Sequence, residues 1–350
     1  MSVLWHHNPD RVSTATASQF WTTVHADVTV TASGYDGTQG YTASSANGVL
    51  TLLPGGMFPT PTDTASFRFG GRFLVSALPA AAKVLLAALD PAGVIQVCVS
   101  LNVDGTVTIW RGNMATALVT SAQAVTVGTH FKLGFKGTIN PVSGSAEVHL
   151  NSTAAAPNIA AQISGANTVS ASSSFLTWAG LQVGVTTVIT AGHLYVIDGS
   201  GSVNNLVHGY RVAALAPTGA SNHSEWTAVG AATIWEALDD AAPDGDSTYA
   251  SETTDDERFS VTTADLTATN TSAIYGVQVT NVVRNVAGGG TPSHIPFVYL
   301  DDDNEYFGAL MPVTTSYAAV RAMFGPHPLT GTPWTRAQVL AANPGGRMIA

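Results

Sequence analysis

The segment from Val94 to Trp110 constrains the fold more than any other part of this chain. Apolar and polar residues alternate along it almost without interruption, and the alternation breaks at Asp104-Gly105. A period of two indicates a β-strand with one buried face, and Asp-Gly supplies the positive φ angles that a tight hairpin turn needs. The segment therefore predicts a β-hairpin, with Cys98 on its polar side. Similar runs recur through most of the chain, so we expect an all-β fold class.

Further alternating runs predict a series of short strands in the first two hundred residues. These runs span 67–75, 84–89, 131–139, 146–150, 181–188 and 193–197. A loop signal, Asn-Pro-Val-Ser-Gly, separates two of them at 140–144. Short antiparallel strands at this spacing, separated by turns, are typical of a jelly roll or β-sandwich.

The Gly- and Ser-rich stretch at 198–202 predicts a boundary between two domains. We expect a jelly-roll domain at 1–198 and a smaller, acidic, β-rich domain at 203–350, which holds more than half of the 23 acidic residues. A short helix is predicted at 335–342, with Thr332 as its cap and a stop at Asn343-Pro344-Gly345. Strands of the second domain are predicted at 209–215, 274–284, 297–300 and 306–310.

Composition and charge exclude several classes of partner. The net charge is -10, and the 13 Lys and Arg residues are scattered along the sequence, so we expect no nucleic acid, whose phosphates require clustered cations. No apolar stretch reaches the roughly 20 residues of a membrane-spanning helix, and residues 1–13 lack the pattern of a secretory signal. We therefore expect no membrane insertion, and synthesis in the cytoplasm. The single cysteine, Cys98, excludes an internal disulfide and is predicted to be a surface or second-layer thiol.

Candidate chemistry is sparse in this sequence. Asp244 and Asp246 are the candidate calcium ligands, because calcium prefers several oxygens on a flexible loop, and the Asp301–Asp303 run is a second acidic loop. The EF-hand pattern is absent, however, and acid-rich loops are also typical of turns. Glycoside hydrolysis needs two carboxylates across a cleft, and the sequence of the jelly-roll half does not indicate such a pair. The ten histidines form no zinc or nucleophile motif. We expect no metal, no cofactor and no catalytic residue, and hence a protein that is not an enzyme.

Residues 67–150 resemble a concanavalin A-like, laminin G-like jelly roll. The resemblance lies in the order of an aromatic strand, a Leu-rich strand, Val-x-Val-Ser-Leu-Asn-x-Asp-Gly-Thr-Val at 97–107, Arg111-Gly112, Val-Gly-Thr-His-Phe at 127–131 and Gly-Ser-Ala-Glu-Val at 144–148. The usual Trp after Gly-Thr is replaced by His130-Phe131. The resemblance implies a lectin-like sandwich over about the first 200 residues.

The second half resembles a module of structural proteins from tailed bacteriophages. The residues that carry this resemblance are 212–220, His-Ser-Glu-Trp at 223–226, Trp-Glu-Ala-Leu-Asp-Asp at 235–240, Asp-Gly-Asp-Ser-Thr-Tyr at 244–249, Tyr-Gly-Val-Gln-Val at 275–279 and Thr-Gly-Thr-Pro-Trp-Thr at 330–335. The charged tract that usually follows Gly-Val-Gln-Val is reduced here to Arg284 and a Gly-Gly-Gly run.

Together the two resemblances imply a non-enzymatic structural protein of the virion, in a tail, a fibre or on the head surface. Its expected partners are other virion proteins and copies of itself, because homo-oligomeric contacts would cover the surface of a chain with so few charges. The alternative is a receptor-binding, lectin-like adhesin that recognises a glycan on the host surface. Lectin-like jelly rolls stack exposed aromatics on sugar rings, so Trp110, Trp178, Tyr35 and Tyr41 are candidate glycan contacts. The other interpretation of these aromatics is that they fill the sandwich core.

Overall fold

The structure is a computed structural model. It describes residues 3–7, 12, 14–15, 17–32, 34, 38–45, 48–52, 65–153, 156–197, 212–266, 274–286, 292–300 and 304–349. The chain divides into two compact units, Val3–Val212 and Ala213–Ala350, and the predicted boundary at 198–202 lies outside the described residues. The predicted all-β fold is confirmed, with antiparallel sheets in both units and one short α-helix among the described residues. No described helix is long and apolar enough to cross a membrane.

The first unit is a sandwich of two antiparallel sheets. Sheet 1 has the strand order β13-β12-β11-β6-β15-β4-β3, with β1 also paired to β15, and sheet 2 has the order β10-β9-β8-β7-β14-β5-β2. The strands are β1 (Val3–His7), β2 (Thr23–Val24), β3 (Val28–Thr31), β4 (Gly40–Ala43), β5 (Gly48–Leu52), β6 (Ser66–Val75), β7 (Lys83–Leu89), β8 (Ile95–Leu101), β9 (Thr106–Arg111), β10 (Thr116–Ala124), β11 (His130–Thr138), β12 (Gly144–Leu150), β13 (Ile159–Ala166), β14 (Gly180–Val185) and β15 (Ile189–Ile197).

Alternate residues of β6 and β11 build the aromatic core of the first unit. Phe67 and Phe69 point inward from β6, and both rings contact Phe135 of β11, at centroid distances of 4.9 and 5.6 Å. Trp178 lies against the same two β6 rings. All four side chains are buried. The opposite face of sheet 1 therefore carries the even-numbered residues of β6, among them Arg68 and Arg72.

The predicted hairpin is present as β8 and β9, but both faces of β8 are buried. Gln96, Cys98 and Ser100, predicted to be the polar outer face, are fully buried. The loop after β13 contacts Gln96, whose Nε2 donates to Ser173 Oγ at 2.6 Å and whose Oε1 accepts from the backbone of Ser170. Trp110 donates to Ser100 Oγ and packs, with Met114, against the apolar cluster that contains Cys98. Cys98 is therefore not a surface thiol.

The second unit is built on a sheet of five principal strands. Sheet 3 has the order β16-β19-β25-β21-β22, with β23 also paired to β21, and two further antiparallel pairs are β17–β18 and β20–β24. Its elements are β16 (Pro217–Ser224), β17 (Thr227–Val229), β18 (Tyr249–Ser251), β19 (Arg258–Thr263), β20 (Val277–Val283), β21 (Ser293–Tyr299), β22 (Glu305–Phe307), β23 (Met311–Pro312), β24 (Ala318–Phe324), α1 (Arg336–Ala341) and β25 (Asn343–Ile349). The strand predicted at 209–215 lies partly outside the described residues, and 212–215 form no strand.

One face of sheet 3 packs against the core of the second unit. Phe259, Val261 and Met348 join Trp226 in one apolar cluster, and Val298 joins a second cluster around Trp334 and Phe324; both clusters are buried. Because side chains alternate along a strand, the neighbouring residues of β19, β21 and β25 lie on the opposite face.

The end of the chain differs from its prediction in two ways. The helix begins after Thr335, whose side chain accepts from the backbone of Gln338 while Gln338 caps in return, so Thr335 and not Thr332 is the N-cap. The predicted stop at Asn343-Pro344-Gly345 is instead the start of β25, which lies between β19 and β21. A Cβ at Gly345 would collide with the backbone of Phe259 and the ring of Phe297, so this glycine allows the strands to approach.

Candidate functional site

The face of sheet 3 that points away from the core carries a group of polar and aromatic side chains. We call it the open face, and it comprises His223 of β16, Arg258 of β19, Arg347 of β25, Tyr299 of β21, and Glu305 and Phe307 of β22. Strand register brings these residues together, because Arg258 pairs with Arg347, and Tyr299 pairs with Glu305. The backbone N–H of His223 donates to Ser260 Oγ at 3.0 Å, which holds β16 in line with β19.

Glu305 is the centre of the polar contacts on the open face. Its Oε1 lies 2.7 Å from His223 Nε2 and accepts from Arg258 Nη1 at 3.1 Å. The Glu305 side chain is only 12% exposed, so both contacts are partly shielded from water. The charge-assisted hydrogen bond from Arg258 is stronger than a neutral one and orients the carboxylate.

Two more carboxylates at the edge of the open face hold the arginines. Asp256 pairs with Arg347 and with Arg258, and Glu225 Oε2 accepts from the backbone N–H of Arg258 at 2.7 Å. Glu225 Oε1 also lies 3.7 Å from His223 Nδ1. The acids and bases therefore form one continuous network across the face. These contacts hold the carboxylates and the guanidinium groups in place without a ligand.

An aromatic ring lies beside this network. Phe307 is 41% exposed, and the Arg347 guanidinium lies 5.4 Å from its ring centroid. Beside it, at the paired position of β21, Phe297 is fully buried, with the two ring centroids 5.8 Å apart. The His223 ring meets Tyr299 edge to face. An exposed apolar ring next to fixed donors and acceptors can hold a ligand that has both an apolar face and hydroxyl groups.

The candidate glycan contacts predicted from the sequence belong to the first unit and are not part of the open face. Tyr41 and Trp178 are buried in the sandwich, where Trp178 Nε1 donates to the backbone oxygen of Ser66 and Tyr41 meets Trp21 edge to face. Trp110 is half-buried, with its Nε1 donating to Ser100 Oγ at 2.8 Å. Tyr35 lies outside the described residues. The structure thus brings none of the three described rings together on an open surface.

The candidate calcium ligands are engaged by protein groups. Asp244 accepts from the backbone N–H and the hydroxyl of Thr248, at 3.2 and 3.0 Å, and Asp246 pairs with Arg284 and accepts from Tyr317 at 2.6 Å. Burial, together with the hydrogen bond to Asp246, raises the pKa of Tyr317 to about 12. Among the described residues no three His, Cys, Asp or Glu side chains are arranged to hold a metal ion, and Asp301–Asp303 lie outside them.

No protein family matches this sequence, and no curated protein does. Solved structures with a similar arrangement include Trypanosoma rangeli sialidase in complex with the inhibitor DANA, at 13% identity and a TM-score of 0.34, over 48% of this chain and 26% of that one. Another is the carbohydrate esterase vb_24B_21 from the Shiga toxin-encoding bacteriophage phi24B, at 15% identity and a TM-score of 0.37. This match covers 56% of this chain and 97% of that one. A third is domain 4 of AbnA, a GH43 arabinanase from Geobacillus stearothermophilus, in complex with arabinotriose, at 13% identity and a TM-score of 0.34. This match covers 56% of this chain and 90% of that one.

These similarities correct one expectation. The prediction that the chain is not an enzyme is wrong, because the similar structures are sialidases, a carbohydrate esterase and an arabinanase domain. The chain spans between a quarter and a third of the length of the sialidases. At these identities and TM-scores the likeness concerns the arrangement of strands, and what those proteins act on is a property of those proteins.

Proposed function

We propose that this chain is a glycan-recognising component of a bacteriophage particle, and that the open face binds the sugar. The observation that supports this proposal is the group of polar side chains formed by Glu305, the two arginines and His223 beside the exposed ring of Phe307. Because the polar groups already hold one another, little conformational entropy is lost when a ligand replaces water on them.

The expected binding mode follows from the chemistry of the face. A pyranose ring laid on Phe307 buries its C–H face against the aromatic ring, while its hydroxyls reach the edge of Arg347. Arg347 and Arg258 supply donors, and the free lone pairs of Glu305 and Asp256 supply acceptors. Sugar hydroxyls need both, since each donates and accepts.

Residence in a phage particle rests on the sequence resemblance of residues 212–335. The same resemblance supports contacts with other virion proteins and with copies of this chain, in a tail, a fibre or on the head surface. Immunogold labelling of purified particles with antibody against residues 213–350 tests this part separately: gold on the particle is expected, and particles without gold overturn it.

The test of glycan recognition uses an array of bacterial cell-surface oligosaccharides, followed by calorimetric titration of the best ligand. Phe307→Ala is expected to weaken binding by about tenfold or more, because covering an aromatic side chain contributes roughly 1.5–3 kcal/mol and 1.4 kcal/mol is about tenfold. Phe175→Ala is the matched control, since Phe175 is a similarly exposed phenylalanine (39% against 41%) in the first unit.

Three results separate the outcomes. Loss of binding in Phe307→Ala but not in Phe175→Ala supports the open face as the site. Equal affinities in both variants, or no bound oligosaccharide on the array, overturn it. Because the similar structures are enzymes, the bound oligosaccharide is also assayed for released sugars and acyl groups; release that Glu305→Gln abolishes assigns a reaction to this face.

A further inference from the structure

The two arginines of the open face lie directly opposite each other on neighbouring strands. Arg258 of β19 pairs with Arg347 of β25, and their side chains are 28% and 24% exposed. Like charges at directly paired positions of a sheet repel each other and destabilise it. The pair therefore needs negative charge close by, and residues of the same unit supply it.

Asp256 is the carboxylate that bridges the two arginines. One of its oxygens accepts from Arg347 Nε, and the other lies 3.7 Å from Arg258 Nη2. Its φ angle is +75°, in the left-handed region that Asp and Asn adopt more readily than other side chains do. The Asp256 backbone N–H donates to the Met348 oxygen at 3.1 Å, which ties this turn to β25. An uncommon backbone conformation held by its neighbours is a feature of binding sites, and here it fixes the carboxylate between two guanidinium groups.

Negative charge exceeds positive charge around this arginine pair. Glu305 accepts from Arg258 Nη1 at 3.1 Å, and Glu225 accepts from the Arg258 backbone N–H at 2.7 Å, so three carboxylates accompany two guanidinium groups. Residues 213–350 contain 15 acidic and 5 basic residues, whereas residues 1–212 contain eight of each. The second unit therefore carries the entire net charge of the chain, and a field of this sign repels an approaching anion.

We propose that the open face selects uncharged sugars over acidic ones, and that Asp256 is the residue that sets this preference. The inference rests on the proposed binding of a sugar to this face. A sugar carboxylate has to displace Asp256 before it can pair with the two arginines, whereas a sugar hydroxyl can accept from a guanidinium group that stays paired with Asp256. Without the charge of Asp256 the same two arginines suit a carboxylate, because guanidinium groups bind carboxylates through parallel hydrogen bonds.

Asp256→Asn tests the proposal in the full chain, because it removes the charge and keeps a residue that adopts a positive φ angle. The probes are galacturonate with galactose, and glucuronate with glucose; the members of each pair differ only in a carboxylate or a hydroxymethyl group at C5. Affinities are measured by NMR titration of the protein at about 0.15 M salt. The unchanged protein is expected to bind neither acid more tightly than its uncharged counterpart. In Asp256→Asn the affinity for both acids is expected to rise at least about tenfold, because hydrogen bonds between charged groups are among the strongest.

Two further variants control for net charge and for folding. Asp265→Asn makes the same change of charge at an aspartate of the second unit that pairs with Arg336 and is similarly exposed (56% against 50%), and its affinity for the acids is expected to stay within about twofold of the unchanged protein. Asp256→Gly removes the carboxylate at a residue that adopts a positive φ angle without steric cost, and it is expected to show the same gain as Asp256→Asn. Galacturonate should raise the midpoint of thermal unfolding of both Asp256 variants more than that of the unchanged protein, because a ligand that binds only the folded state stabilises it.

The outcomes are distinct. Gains for the acids in both Asp256 variants, without a gain in Asp265→Asn, support the proposal. Tighter binding of an acid than of its uncharged counterpart by the unchanged protein overturns it, as does a lack of gain in the Asp256 variants or an equal gain in Asp265→Asn. If both Asp256 variants fail to fold, Asp256 is a structural residue and the proposal is also overturned. Failure of the proposed function shows separately, on the glycan array and in Phe307→Ala; array binding that depends on Phe307, without a gain in the Asp256 variants, overturns this inference alone.

Discussion

The properties of the Cys98 thiol depend on whether the polar face of its strand is covered or exposed to water. Its neighbours include Trp110 and Met114, its Sγ donates to the Gly112 backbone oxygen at 3.3 Å, and burial raises its pKa to about 12. Alternation along β8 correctly predicts which residues share a face, but it does not reveal that Trp110, Met114 and a loop far along the sequence bury the polar one. Cys, Ser and Gln are small or can be satisfied by hydrogen bonds, so the sequence pattern is the same whether that face meets water or a loop.

Cys98 is therefore expected to be unreactive in the folded protein. At pH 8 a thiol with a pKa of about 12 is ionised in roughly one molecule in ten thousand, and the thiolate is the nucleophile. Iodoacetamide at pH 8, with mass spectrometry as the readout, should leave the native chain unmodified over hours and modify it fully in guanidinium chloride. Rapid alkylation of the native chain would contradict the burial of Cys98.

At the scale of elements, turn signals and strand signals compete in the last twenty residues. Asn-Pro-Gly-Gly is typical of a turn, yet it opens β25 in the middle of sheet 3. The pairing of β25 with β19 covers Gly345 to Arg347 and ends before Pro344, so the missing N–H of proline removes no bond from that ladder. The glycines are required by close packing against Phe259 and Phe297. Local sequence carries no record of these neighbours, because Phe259 and Phe297 lie far from Gly345 along the chain.

The capping of α1 gives a test at this scale. Thr335→Ala removes the hydroxyl that accepts from the Gln338 backbone and is expected to lower the free energy of unfolding by about 1 kcal/mol. Thr332→Ala is the matched control, because the Thr332 hydroxyl contacts only the Thr330 hydroxyl among the described residues, at 2.9 Å, and a change of less than about 0.5 kcal/mol is expected there. Urea unfolding of both variants measures the difference; equal losses would mean that Thr335 does not cap the helix.

At the scale of the whole molecule, the sequence was sufficient for the all-β class and for most strands of the first unit. It predicted only three of the ten strands described in the second unit, β20, β21 and β22, and it was insufficient for the candidate site. The residues of the open face come from five strands spread between His223 and Arg347, and no local spacing connects them. The one local signal was the His-Ser-Glu-Trp run at 223–226, which the resemblance singled out without a role. The aromatics named as candidate sugar contacts were large and conspicuous in the sequence, and large aromatic residues are also the ones that a sandwich core buries, which was the other interpretation.

The pH dependence of stability is expected to have a separate origin in each unit. Burial lowers the pKa of His294 in the second unit from its ordinary 6.5 to about 4, and hydrogen bonds from His149 and Lys136 lower the pKa of Glu147 in the first unit from 4.5 to about 2. Both groups bind fewer protons when folded, so the stability they contribute is complete at neutral pH and is lost on acidification. The His294 contribution is lost as pH falls from 6.5 to 4, and that of Glu147 from 4.5 to 2. Because Glu147 is partly exposed, solvent screening makes its contribution the smaller one.

Two variants assign these two steps. In His294→Gln, whose side-chain oxygen can still accept from Asn281 as His294 Nε2 does, the midpoint of thermal unfolding should change less between pH 6.5 and 4 than in the unchanged protein. In Glu147→Gln the same flattening is expected only below pH 4.5. Because each comparison is of slopes, a general loss of stability in either variant does not affect it. If the unchanged protein loses no stability between pH 6.5 and 4, or if His294→Gln follows the same curve, His294 is not buried as a neutral side chain, and the packing of Gly346 against its ring does not hold at neutral pH.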